Sequence, residues 1–247
     1  MNRNESIQAL PVTLISLKLI GAALEIYSDD IEDIHVMVSG DKRDVNALRI
    51  NASADRLTVE QPATALAKTP VTTSWMQITL RIPRSWKGSI DARTVSGWMN
   101  LRGLTGADLS MDSVSGTLLG NDLSFITASL RAVTGDIRIT ALQADKVSCT
   151  TTSGNISLDN AALRTCSLNS VTGSSSLWLT QPFERISASG VSGDVAIEAP
   201  ITECDATLRC VTGRIRTAGV SIVEGAPRIK ATTVSGDLTI ARNDQEA

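Results

Sequence analysis

Eight glycines, each preceded by Ser or Thr, recur along the last two-thirds of the chain: Gly97, Gly116, Gly135, Gly154, Gly173, Gly193, Gly213 and Gly236. Their spacings are 19, 19, 19, 19, 20, 20 and 23 residues. Val stands two places earlier in seven of the eight repeats (Val95, Val114, Val133, Val171, Val191, Val211 and Val234), with Thr152 in the other. A period near 20 residues marks stacked units, each able to bury its apolar face only against its neighbours.

Alignment on the glycine sorts inward from outward positions. Seven places before it stand Ile90, Leu109, Ala128, Val147, Cys166, Ile186, Ala206 and Ile229, and five places before it Ala92, Met111, Leu130, Cys149, Leu168, Ala188, Leu208 and Ala231. The third place before it is always small, from Thr94 and Ser113 to Cys210 and Thr233. After the glycine, the second and fourth places carry pairs such as Met99 and Leu101, Ile137 and Ile139, or Val195 and Ile197. Period-two alternation on both sides of a glycine bend predicts two short strands per coil. Glycine suits the bend because it accepts φ > 0 without a Cβ clash. The fold class expected is all-β: a parallel β-helix, or β-solenoid, of about eight coils of 19–20 residues with an irregular β N-terminal cap. Aromatic residues make up only 3% of the chain, which suits a narrow aliphatic core.

The register places Cys149, Cys166 and Cys210 at inward positions as small buried hydrophobes; Cys204 falls between strands. No pair forms C-x-x-C and the one histidine, His35, is distant in sequence, so zinc-ligand spacing is absent. Outward, the sixth place before the glycine runs Asp91, Ser110, Ser129, Ser148, Ser167, Ser187, Thr207 and Lys230, a ladder of hydroxyls. Such a face could serve adhesion or sugar binding, but small β-compatible residues also keep a sheet soluble.

Residues 1–82 are β-rich without the register and are expected to start or cap the solenoid formed by residues 83–247. Candidate strands are Thr13–Ile20, Ala22–Tyr27, Asp33–Val38, Ala47–Asn51, Arg56–Glu60 and Trp75–Ile82, with a loop over 61–73. At the other end only Ala241 and a polar tail follow Ile240, a bare last coil that suggests an end-to-end or side-by-side homo-oligomer. The longer last spacing places a projecting loop near Ala218–Pro227.

Chemistry on a β-helix needs acids or bases stacked at one position on adjacent coils. Here Asp136, Asn155, Ser174 and Asp194 alternate acids with neutral residues, and Arg93, Arg131 and Arg209 share a column interrupted by Asp112, Thr150, Asn169 and Ser189. His35 lies in a predicted strand without an evident partner. Trp98 and Trp178 face outward, where they could stack on sugars or cover a contact. No residue is assigned a catalytic, cofactor-binding or metal-binding role, no cofactor is expected, and the chain reads as non-enzymatic.

The net charge of −3, with 23 basic and 26 acidic residues, leaves no basic stripe for nucleic acid and no cluster for an anionic membrane. Arg3, Ala9–Leu17 and Gly21-Ala22-Ala23 imitate an export signal, but Pro11 and Lys18 interrupt the run and Ile15, Leu17 and Leu19 alternate as in a strand. No stretch reaches the ~18 apolar residues of a spanning helix. The reading as written is cytoplasmic, with the cell envelope as the alternative.

The segments TVSGWMNLRGL (94–104), SVSGTLL (113–119), AVTGDIRI (132–139), GVSGDVAI (190–197) and TVSGDLTI (233–240) resemble the repeated Val-Ser-Gly-Asp-apolar unit of the bacterial putative-adhesin family. That unit follows a Pro-containing strand, here ITLRIPRSWKGSIDARTVSG (78–97). The resemblance implies a β-helical domain of unknown function linked to the bacterial envelope, with no known catalytic residue; a binding or adhesion module of this kind would take a protein or glycan partner. Many members carry a membrane anchor, which this sequence lacks as read. Asp follows the glycine only at Asp136, Asp194 and Asp237, so the resemblance carries no calcium ladder over to this chain. A self-assembling intracellular scaffold is the alternative function, and a polysaccharide-active β-helix enzyme a further one.

Overall fold

The computed structural model of the protein describes residues 1–62 and 75–243. Most of the sequence-predicted loop over 61–73 therefore lies outside the described residues.

The repeats stack in parallel and in register. Strands β8 (Ser89–Ser96), β9 (Met99–Ser115), β10 (Leu118–Thr134), β11 (Ile137–Ser153) and β12 (Ile156–Thr172) pair successively, with Ile90 beside Leu109 and Leu109 beside Ala128. The seventh and fifth places before the glycine are buried from Ile90 to Ile186 and from Ala92 to Ala188. The small residues at the third place are also mostly buried, and several of them tie coils together. Thr151 Oγ1 donates to the Gly135 carbonyl (3.4 Å), and Thr233 Oγ1 to that of Gly193 (3.1 Å).

The coil has three sides where the sequence predicted two strands. A second corner falls six places after the glycine, where Gly103, Asp122, Ala141 and Asn160 all take left-handed φ of 52–62°. Beyond it a third inward run packs Leu104, Leu123, Leu142 and Ala161, then Phe125, Ala144 and Leu163. This corner escaped the sequence reading because Gly, Asp, Ala and Asn share no side-chain signature, although all but Ala are residues that tolerate this conformation.

At the N-terminal end, β2 (Leu14–Lys18) lies between β6 (Arg56–Glu60) and β8, and β3 (Ala23–Asp29) lies between β7 (Met76–Pro83) and β9. The alternation of Ile15 and Leu17 thus fills a core strand. Beyond this layer, β4 (Asp33–Gly40) runs antiparallel to β7 and to β1 (Asn2–Gln8), and β5 (Arg49–Ser53) antiparallel to β6. Strand β1 and the short helix α1 (Lys42–Ala47) were not expected from sequence. Val45 and Leu48, in and just after α1, are buried and help close the core.

The other end is also interleaved. Strands β14 (Arg185–Ser192) and β15 (Val195–Ala199) pair not with β16 (Glu203–Thr212) and β17 (Ile215–Ala218), which come next in sequence, but with β19 (Arg228–Ser235) and β20 (Leu238–Arg242). The residues 203–218 pack on the far side of β19 and β20. The open coil is therefore 203–218, where Leu208 is only half-buried and Ile215 exposed, and not the coil ending at Ile240 as the sequence suggested. The segment expected to project as a loop contains β18 (Ser221–Ile222), which folds back to pair with Glu203 and Cys204.

All four cysteines are free thiols; Cys149, Cys166 and Cys204 are buried and Cys210 half-buried. Burial pushes the Cys166 thiol up from 9.0 to about 12, and that of Cys149 well above the ordinary value, with the neighbouring Cys166 adding to it. Above pH 9 the unfolded chain loses these protons while the folded chain keeps them, so stability falls as pH rises from about 9 towards 12. The expected slope is about 1 kcal/mol per pH unit for each thiol. Urea midpoints at pH 8 and pH 10.5 check this, and Cys166→Val, the residue that Val147 supplies in the adjoining coil, should flatten the dependence.

Candidate functional site

The glycine corner is set by backbone packing. A Cβ on Gly116, Gly135, Gly154, Gly173, Gly193 or Gly236 would lie 2.0–2.3 Å from the carbonyl oxygen of the glycine in the adjacent coil. From Asp136 onward, the residue after the glycine bonds the next layer. Asn155 N–H donates to Asp136 Oδ1 (2.8 Å), Ser174 N–H to Asn155 Oδ1 (2.9 Å) and Asp194 N–H to Ser174 Oγ (3.3 Å). Asp237 N–H donates to Asp194 Oδ1 (2.7 Å), and Arg214 N–H to Asp237 Oδ1 (2.8 Å). Asp, Asn and Ser are interchangeable here because each offers one oxygen to an amide that the corner leaves without a ladder partner. This column is structural glue, and its acids already have partners.

The hydroxyl column six places before the glycine lies half-buried on one outward face of the sheet, from Ser110 to Ser187. Beside it, Asp112 bridges the arginine column that it interrupts in sequence, lying 3.7 Å from Arg93 and 3.9 Å from Arg131. Arg93 also bonds Asp91 (3.0 Å), whose carboxylate raises the guanidinium pKa further. Trp98 and Trp178 are 39% and 42% exposed, but they occupy different columns four repeats apart and form no common site. His35 is half-buried in β4, opposite Arg81 of β7. Among the described residues no three His, Cys, Asp or Glu side chains converge as a metal site would require.

Two clefts near the cap were not visible in the sequence, because each combines residues of the segment without a register with residues 83 and beyond that are distant in sequence. One, of about 1000 Å³, is lined by Leu10, Pro11, Val12, Trp86 and Lys87 among others; Leu10 is largely exposed, while Trp86 is buried and donates Nε1–H to the Val12 carbonyl (2.7 Å). The other, of about 750 Å³, gathers Tyr27, Arg84, Lys87 and Arg102. Arg102 sits 5.7 Å over the Tyr27 ring and pairs with Glu25. Nearby, Arg81 bonds Asp29 (2.9 Å) and, with the Asp30 N–H, holds the Asp29 carboxyl below its ordinary range. No helix of the described residues is long and apolar enough to cross a membrane.

The family model described as Toastrack DUF4097 matches residues 12–246. No curated protein matches the chain. Solved structures share its fold at low identity. A putative adhesin from Bacteroides fragilis is 14% identical, with 98% of this chain and 97% of that one covered and a TM-score of 0.64. A putative adhesin from Parabacteroides distasonis is 13% identical, with 97% of each chain covered and a TM-score of 0.62. A structure from the same organism described as a putative lipid binding protein is 14% identical, with 99% and 96% covered and a TM-score of 0.50.

Proposed function

Because the chain belongs to the Toastrack DUF4097 family, we propose that it is a non-enzymatic, adhesin-like interaction module of the bacterial cell envelope. The observation that carries this reading is the outward face of in-register rungs six and four places before each glycine. It repeats small polar and charged groups on successive coils instead of gathering reactive ones at a single point. Such a surface suits an extended, polar ligand such as a glycan, bound by many weak contacts. The segment before residue 83 starts and caps the rod, and the repeats that follow supply its faces. Structures described as adhesins support this assignment through the shared fold.

The test is retention of the full chain on cell-wall glycan and on glycan arrays. Ser148→Lys with Ser167→Lys, which leaves the core untouched, should abolish retention. Binding unchanged by these substitutions, or none to any glycan, would overturn the glycan reading. A second reading rests on the 1000 Å³ cleft at the cap, whose Leu10, Pro11, Val12 and Trp86 offer an apolar wall to a lipid chain. A fluorescent fatty acid displaced by Trp86→Ala but not by the Ser148→Lys pair would favour it.

A further inference from the structure

The valines two places before the glycine are not needed by the core. Val95, Val114, Val133, Val171, Val191 and Val234 are each 47–50% exposed, and Val211 is 79% exposed. The next place along, Ser or Thr in every repeat, is exposed as well. Register on both sides stacks these residues into one ridge running the length of the repeats, with Thr152 its single polar gap.

β-Propensity alone does not explain the ridge. The outward columns four and six places before the glycine are also strand positions and contain no aliphatic residue. The valine, hydroxyl and glycine columns, by contrast, contain no charged residue in a chain that is 20% charged. We propose that this ridge is where two copies of the chain pair side by side.

Two features select a second copy as the occupant, and a third sets the strength of the contact. The ridge repeats at about 4.8 Å, and only a partner of the same period can seat its side chains between the valines along the whole length. A neutral ridge costs little to bring against itself, and the same patch used twice closes a dimer. Its extent, roughly 38 Å by 10 Å from eight layers and three residues of width, falls below the ~800 Å² per partner of a standard stable complex. The dimer is accordingly of the weak, concentration-dependent class. The inference goes beyond the adhesin reading, and pairing and ligand capture are read by separate experiments.

Sedimentation velocity of the full chain from about 5 to about 200 μM should show a monomer–dimer equilibrium. Val114→Thr, Val133→Thr, Val171→Thr and Val191→Thr combined keep β-branching and should weaken it at least about tenfold, with thermal stability retained. Thr152→Val fills the gap and should tighten it about two- to threefold. Ser129→Lys with Ser167→Lys, four places from the valines along the same strands, should leave it unchanged. A strict monomer at about 200 μM, or a fourfold threonine variant that associates like the native chain, would overturn the proposal.

Discussion

Gly173→Ala is expected to destabilise the rod by about 3 kcal/mol or more, lowering its melting temperature by roughly 6–12 °C. Two independent effects act at this position. The backbone holds φ at +128°, where an L side chain is strained, and the new Cβ would lie 2.1 Å from the Gly154 carbonyl oxygen and 2.6 Å from its carbon. Both atoms belong to backbone stacked on either side, so neither can swing away. Gly190→Ala is the matched control: the atom nearest to its added methyl, Thr233 Oγ1, would lie 3.5 Å away, and Ala132 already fills the equivalent place in another repeat. That substitution should be neutral, or stabilising by up to about 1 kcal/mol through the unfolded chain. Differential scanning calorimetry on both variants decides the matter; equal melting temperatures would show that the corner relaxes.

Ile229→Asp should undo two coils at once. Ile229 is fully buried in β19, between Ile186 of β14 and Ala206 of β16. An unpaired carboxylate there costs about 4 kcal/mol or more. Among the described residues, strand β17 pairs only with β20, and β16 only with β19 and the two residues of β18. Hydrogen exchange should therefore rise over both 228–242 and 203–218, while 99–172 stays protected. Protection surviving in 203–218 would mean that β16 docks onto β14 directly once β19 has left, since its repeat carries the same register.

How far the sequence reveals this architecture depends on whether neighbouring coils repeat the same side chain. The glycine corner is legible because close backbone approach admits one residue only, and the inward columns because burial keeps Ile90, Leu109 and Val147 aliphatic. The left-handed corner at Gly103, Asp122, Ala141 and Asn160 is not, since four different residues meet one backbone demand. Layer order was also hidden. Any coil of the repeat could stack on any other, so Gly213 following Gly193 by 20 residues says nothing about the strand from 228 that comes between them. The partners of Asp136, Asp194 and Asp237 were invisible for a different reason: each bonds an amide about 19 or more residues away, which only the stacked register brings near. The clefts at the cap combine residues as distant as Val12 and Trp86, with no period to connect them.

The bonds that pass from Asp136 through Asn155, Ser174, Asp194 and Asp237 to Arg214 give this part of the rod a direction. From Asp136 to Asp237 each layer extends an oxygen to the following amide, so that run of the column has one polarity. At the open coil that oxygen is replaced by the side chain of Arg214, which has only donors to offer. Arg209 and Arg216 lie on the same coil and add their charge to the exposed edge. A coil stacked there would find no side-chain acceptor in this column for its corner amide, just as Thr117 finds none at Trp98. The acceptor run is therefore directional and finite, set by which residues follow the glycines.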